Sequence, residues 1–395
     1  MPMNIRWFLS KTVRQATEMR RQVQKLLNHQ RDLLGSTAVA GLCDAMAAMQ
    51  SAVDSGAGRE ALKSQMVELE KAANKWLKPY PSASIRENIE VFLVAIAVAV
   101  GIRTFFLQPF KIPTGSMQPT LYGVTHDYLA PDEEIPRGLK RKWEYWTSGV
   151  AYVRETVKVD GRLERVLPPV KFLLFNLKQD YYIGGQKHTV WFPDDRLFQR
   201  AGLVNEAGRI QDELFRAGDR IFNLKVHSGD HLFVDRLTYN FRMPERGDII
   251  VFATAGTQIP QQDQFYIKRL VALGGESVQI GDDQHVVIDG RRLDASTPHF
   301  ENVYTFSGPP KNDGDYFGHV NNGTALRMLG SPIARYFPDG EYIYEVPDDA
   351  YLAFGDNTLN SSDSRYWGPI PKENVIGKSF FVYWPITSRF GWGHR

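Results

Sequence analysis

One stretch constrains this chain more than any other. Val91-Phe92-Leu93-Val94-Ala95-Ile96-Ala97-Val98-Ala99-Val100-Gly101-Ile102 carries no polar residue, and after Arg103 the apolar run resumes as Thr104-Phe105-Phe106-Leu107. A helix built from it has no polar face to offer water, as a surface helix would. Val91 to Leu107 is 17 residues, about 25 Å of helix at roughly 1.5 Å per residue. That is near the short limit for crossing a bilayer, with Arg103 able to snorkel to the surface. A buried core helix is the alternative. Flanking charge favours the membrane: Lys71, Lys75, Lys78 and Arg86 precede the run, whereas only Lys111 is basic between Leu107 and Arg137. The positive-inside rule then puts the N-terminal part in the cytoplasm and everything from Pro109 onward across the bilayer. No second stretch of this kind exists, so one span is expected, within residues 89–108.

The 395 residues suffice for two or three domains with sizeable cores, and 43% hydrophobic with 23% charged residues is a globular profile. Lys and Arg total 47 against 45 Asp and Glu, a net charge of +2 that gives no support for a nucleic-acid partner. Cys43 is the only cysteine, which excludes an intrachain disulfide; it reads as a small buried apolar residue. No cleavable signal peptide is expected, because the basic start, with Arg6, Lys11, Arg14, Arg20, Arg21 and Lys25, has no apolar core.

Residues 1–80 read as a helical unit: Val13, Ala16, Met19, Val23 and Leu26, then Val39, Leu42, Met46, Met49 and Val53, then Leu62, Met66, Leu69 and Ala73 recur at helical steps. Helical packing accounts for these stripes, with a cytoplasmic partner as the functional alternative. Beyond Leu121 the chain reads as β-rich. Lys171–Phe175, His231–Val234, Asp248–Phe252 and Val286–Ile288 are short runs of strand formers.

Two residues carry candidate chemistry. Ser116, in Pro113-Thr114-Gly115-Ser116-Met117, lies just beyond the apolar run. A serine hydroxyl needs a base, and none of the nine histidines sits in a recognisable hydrolase motif. A lysine serves if burial lowers its pKa. Lys268, in Phe265-Tyr266-Ile267-Lys268-Arg269, is the candidate. Strand alternation puts Tyr266 and Lys268 on one face and Ile267 and Arg269 on the other, so one of the two basic residues is expected to point inward. Taken singly, Ser116 is a turn serine and Lys268 a surface lysine. Together, beside a membrane span, they indicate a membrane-bound hydrolase. The Ser116 amide and the Thr114 hydroxyl are candidate oxyanion donors. His227 and His231 are a weak metal pair, since Gly229 spoils a helical spacing.

Four blocks in this order make the chain resemble the bacterial type I signal peptidases. They are Pro113–Leu121, Gly229–Arg236, Arg246–Phe252 leading into Tyr266–Arg269, and the hydroxyl-rich loop Gly355–Pro371. The resemblance implies a mainly β catalytic region with an N-terminal α-helical unit and one transmembrane helix. It implies Ser116 as nucleophile, Lys268 as general base, Thr114 in the oxyanion hole and Ser361 orienting Lys268. Asp363 and Arg365 match a supporting pair, Tyr266 a position packed beside the dyad, and Met117 a residue near the membrane surface. It implies no metal or organic cofactor. The substrates it implies are exported preproteins with small residues at −1 and −3, cut on the periplasmic side of the inner membrane.

The chain departs from the pattern in three places. Residues 122–227 separate the first two blocks and read as a β-rich inserted module, dividing the catalytic region into a nucleophile segment, 109–121, and a remainder, 228–395. Thr358-Leu359 replaces charged residues common in the fourth block, and Thr297 to Tyr344 looks embellished. Two other readings stay open: a membrane-anchored scaffold of the same fold without activity, and a Ser–Lys self-processing protein.

Overall fold

The computed structural model describes residues 10–78, 83–130, 132–172, 175–205, 207–305 and 317–392. The chain divides into two compact units, Met1–Ile96 and Ala97–Arg395. In the first, α1 (Lys11–Gln30), α2 (Ser36–Asp54) and α3 (Arg59–Trp76) pack through one core. Ser10 caps α1, its side chain accepting from the Val13 amide. The core takes Val13, Ala16, Val23 and Leu27 from α1, Leu42, Met46, Met49 and Val53 from α2, and Leu62 and Leu69 from α3. Leu27, not Leu26, is the buried member of its turn. Cys43 is exposed, contrary to the sequence reading. It follows Leu42 by one residue, a turn of about 100° off the buried stripe.

Helix α4 (Ala83–Phe105) straddles the division between the units. Its segment Glu87–Phe105 is long and apolar enough to cross a membrane, and none of it is buried. The core-helix alternative does not fit, because among the described residues nothing covers those side chains. The expected span of 89–108 overshoots: the helix stops at Phe105, and Leu107 opens β1 (Leu107–Lys111). Hydrogen bonding to a neighbouring strand overrides the apolar run there.

The second unit is built on an eight-stranded antiparallel sheet. It contains β1, β2 (His231–Asp235), β3 (Ile249–Ala253), β4 (Phe265–Ala272), β5 (Ala350–Phe354), β6 (Ile370–Pro371), β7 (Val375–Trp384) and β8 (Gly391–Trp392). The order is β1-β2-β7-β3-β4-β5-β6, with β8 on β7. Every residue of β5 is buried, as are the first four of β3, so these strands read as continuous apolar runs, not alternating ones. One face packs Met117, Leu121, Leu232, Val234 and Val251; the other packs Ile250, Phe252, Leu270, Ala353 and Trp367.

The long segment between the first two blocks contains two sheets and has its own core. Thr125–Tyr128, Arg220–His227 and Val150–Thr156 form a three-stranded sheet, and Val170–Phe172, Phe175–Ile183, Gly161–Val166, Leu214–Phe215 and Gln186–Trp191 a five-stranded one. Tyr181, Ile183, Leu197, Phe198, Phe222 and Leu224 are among the residues that fill the space between them. The segment also holds α5 (Gly138–Ser148). A second addition surrounds the sheet Ser277–Ile280, Val286–Ile288, Arg291–Arg292 and Ile343–Glu345, whose core includes Phe300, Val303 and Phe337. Part of the expected embellishment, 306–316, lies outside the described residues.

Gly355, at the exit of β5, sets how closely the fourth block meets the first. A Cβ there would overlap the Ser116 carbonyl and the Ser361 hydroxyl. The Asn357 amide donates to the Ser116 carbonyl at 3.1 Å, and Asn357 Nδ2 to the Gly115 carbonyl at 3.1 Å. Gly355→Ala should therefore push these segments apart and cost about 1–3 kcal/mol as overpacking. Chemical denaturation checks this; an unchanged midpoint would refute the close packing.

Candidate active site

Two distant segments meet at the site. The turn that carries Ser116 follows β1, and Lys268 lies in β4, paired with Ile250 of β3. Lys268 Nζ donates to Ser116 Oγ at 2.7 Å, and Thr114 Oγ1 lies 3.5 Å from the same oxygen. Ser116 is 7% exposed and Lys268 4%. Burial drives the Lys268 pKa down to about 8; the Asp363 and Asp356 carboxylates oppose that shift and Arg365 adds to it. Desolvation wins because no carboxylate forms an ion pair with the ammonium: Asp363 and Asp356 are each engaged by an arginine.

One of the two adjacent basic residues was expected to point inward, and both do: Arg269 is also fully buried. Both faces of β4 are covered, so alternation selects a face but not exposure. Arg269 Nε and Nη2 donate to the two oxygens of Asp356 at 2.8 and 2.6 Å, and Nη1 donates to the Gly247 carbonyl at 3.0 Å. Thr120 Oγ1 joins the pair, donating to Asp356 and accepting from Arg269 Nη2 at 3.2 Å. Sequence reasoning missed Thr120 and Asp356; the one signal was their place in the first and fourth blocks.

Asp363 and Arg365 form a second buried pair. Asp363 accepts from Arg365 Nε at 2.9 Å and Nη2 at 2.8 Å, and from the Gly355 amide at 2.9 Å. Burial opposes ionisation of Asp363, but Arg365 and the Gly355 amide hold its pKa below the usual carboxylate value. Thr358 pins the loop: its hydroxyl accepts from Arg365 Nη1 at 2.8 Å and its carbonyl from Nη2 at 2.9 Å. The fourth block is a loop, as expected, closed by a helical turn, Ser364–Trp367, that Asp363 caps.

The remaining sequence candidates fall unevenly. Ser361 is buried beside Gly355. Its hydroxyl has no partner at full hydrogen-bond distance and geometry, though it lies near enough to Asp363 to help keep that carboxylate ionised. Lys268 Nζ sits 5.7 Å from the centre of the Tyr266 ring, whose hydroxyl donates to Gln261. Met117, expected near the membrane surface, is fully buried with Ile112, Leu121 and Leu232. It follows Ser116 in a tight turn, so when the serine faces the site the next side chain enters the core. His227 bonds Asp127 at 3.0 Å and His231 packs edge-on to Trp384. Among the described residues, no group of three or more His, Cys, Asp and Glu is placed to hold a metal.

Residues 85–130 and 223–384, just over half of the chain, match the family model described as signal peptidase, peptidase S26. The chain is 33% identical to a signal peptidase I of Leptolyngbya laminosa, over 40% of this chain and 62% of that one. It is 32% identical to a probable signal peptidase I-2 of Synechocystis sp., over 40% of this chain and 56% of the relative. It is 31% identical to a signal peptidase I of Aquifex aeolicus, over 40% and 69%. The chain thus spans a little over half to about two thirds of these relatives' lengths. A solved signal peptidase I from Enterococcus faecalis V583 aligns at 26% identity over 35% of this chain and 97% of that one, with a TM-score of 0.21; the fold rests on this chain's own strand order. Both segments that meet at the Ser116–Lys268 contact lie within the matched residues, and on that evidence the chain belongs to the signal peptidase family, peptidase S26.

Proposed function

We propose that this chain is a membrane-anchored signal peptidase I, which cleaves the N-terminal signal peptides of exported preproteins by a Ser116–Lys268 dyad. The observation that carries the reading is the buried 2.7 Å bond from Lys268 Nζ to Ser116 Oγ, made without an ion pair on the lysine. Neutral Lys268 takes the Ser116 proton as Oγ attacks the scissile carbonyl. The Thr114 hydroxyl and the Ser116 amide receive the developing oxyanion. The protonated lysine then gives its proton to the leaving amine, and in its neutral form activates the water that hydrolyses the acyl-enzyme. The Asp363–Arg365 pair fixes the loop that carries Ser361, whose hydroxyl is buried without a hydrogen bond to Lys268.

Helix α4 is the anchor, with residues 1–80 cytoplasmic and the catalytic unit across the inner membrane. Substrates carry small residues at −1 and −3, and an extended substrate adds as a strand beside the site. Anchoring confines enzyme and signal peptide to one surface, which raises their encounter rate.

Ser116→Ala should lower cleavage of a preprotein with an A-x-A site by roughly four orders of magnitude or more, with the fold intact by circular dichroism. A purified variant that still processes the preprotein sinks the dyad. In the wild type only neutral Lys268 accepts a proton, so the cleavage rate should rise with pH through an apparent pKa near 8 and level above it. A rate still climbing tenfold per pH unit toward 10.5, the ordinary lysine value, would contradict the buried base.

The same depression makes stability pH-dependent. Between about 8 and 10.5 the unfolded chain binds the lysine proton and the folded chain does not, so stability rises with pH across that window. Below it the full burial cost of the ammonium is present. Lys268→Met removes that cost; it should melt about 2 °C or more above wild type at pH 7, a gain that fades toward pH 10.5. Thermal melts at the two pH values check this, and a variant destabilised equally at both would overturn it.

A further inference from the structure

Helix α5 is amphipathic but docks the wrong way round for a helix of a soluble domain. Its polar face meets the protein: Arg141 Nη2 donates to the Tyr152 carbonyl at 2.6 Å, and the Tyr152 hydroxyl donates to Glu144 at 2.9 Å. No residue of the helix is buried. Leu139, Trp143 and Trp146, at steps of four and three, share the opposite face and are 84%, 70% and 70% exposed. A tryptophan pair left in water on an ordered helix is unfavourable, and an outward apolar stripe marks a missing partner.

The helix is held rigidly in that pose. Trp384 Nε1 donates to the Trp146 carbonyl at 2.7 Å, the Ile386 amide to the Thr147 carbonyl at 2.6 Å, and left-handed Gly149 closes the C-terminus. Ile386, bonded there to the helix C-terminus, is also exposed. Charge identifies the partner. Lys140 and Lys142 flank the stripe, while the one acid of the helix, Glu144, is turned inward to Tyr152. Asp132, Glu133 and Glu134 share a cleft with Lys140, whereas Lys142, beside Trp143, is not among the residues that line it.

We propose that α5 is a second, interfacial membrane contact: it lays Leu139, Trp143 and Trp146 into the headgroup region of an anionic bilayer, with Lys142 on the lipid phosphates. Tryptophan prefers this region because its ring is apolar and its N–H polar, and lysine adds attraction to anionic lipid. The family match stops at residue 130 and resumes at 223, so α5 belongs to the part of the chain outside that match. The proposal rests on the reading of α4 as a membrane anchor.

The test uses the full chain with Cys43→Ser, reconstituted into phosphatidylglycerol–phosphatidylcholine vesicles. A polarity-sensitive dye is placed on Trp143→Cys or, as control, on Glu213→Cys, an exposed site in the same module. Lipids carrying a nitroxide near the headgroup should quench the dye at 143 about threefold more than the dye at 213. Lys142→Glu, or vesicles of phosphatidylcholine alone, should remove most of that excess. Equal quenching at the two sites, or an excess indifferent to lipid charge, overturns the proposal. So does energy transfer between differently labelled copies that tracks protein density, which would make a second copy the partner. Vesicle flotation separates the two readings: a chain that does not float overturns the anchor and this contact together, and one that floats with a dry residue 143 overturns only the contact.

Discussion

Everything at the site depends on keeping one ammonium group out of water without giving it a counter-ion. The Lys268 pKa falls to about 8 because burial penalises its charged form more than nearby carboxylates favour it. Those carboxylates are close enough to matter, so they must be occupied. Arg269 holds Asp356 and Arg365 holds Asp363, each through two hydrogen bonds in a fully buried ion pair. Buried pairs of this kind contribute little net stability, but removing one partner leaves an uncompensated charge. Here a loose Asp363 or Asp356 would be free to pair with Lys268 and return it to an ordinary ammonium. Arg269 and Arg365 thus engage the two carboxylates that act on Lys268.

The long insertion leaves this arrangement intact because its ends lie side by side. Thr125 pairs with His227 and Tyr128 with Leu224, so the chain departs and returns across one antiparallel ladder. Before the departure, the Ile112 amide donates to the Asp230 carbonyl, and the Tyr122 amide donates to the Asp230 carboxylate at 2.8 Å. The nucleophile segment is therefore stitched to β2 as if no module intervened. The module has its own apolar core, so it draws none from the catalytic sheet. That independence permits it a separate task, such as the contact proposed for α5.

Much of this was legible in the chain. Helical periodicity located three N-terminal helices because their stripes are continuous, and failed only for single residues: Leu26 for Leu27, and Cys43, one step off a stripe. The apolar run located α4 but not its end, since hydrophobicity cannot say where Leu107 leaves a helix for a strand partner, Asp235. The four blocks brought forward Ser116, Lys268, Thr114, Ser361, Asp363 and Arg365, and the fold gathers their segments together. The inward turn of Met117 and the burial of Arg269 were not legible, because alternation assigns sides of a strand and says nothing about what covers each side.

By itself, the sequence determined a membrane-length apolar helix, an N-terminal helical unit, a β-rich remainder, and a serine and a lysine in family blocks 152 positions apart. These follow from local periodicity, composition and motif, which need no third dimension. Only the tertiary structure decided that Lys268 loses its water while Asp356 and Asp363 are claimed by arginines, and that α5 turns its apolar face outward. Desolvation and pairing depend on which distant side chains arrive at the same place, and that is a property of the packed sheet.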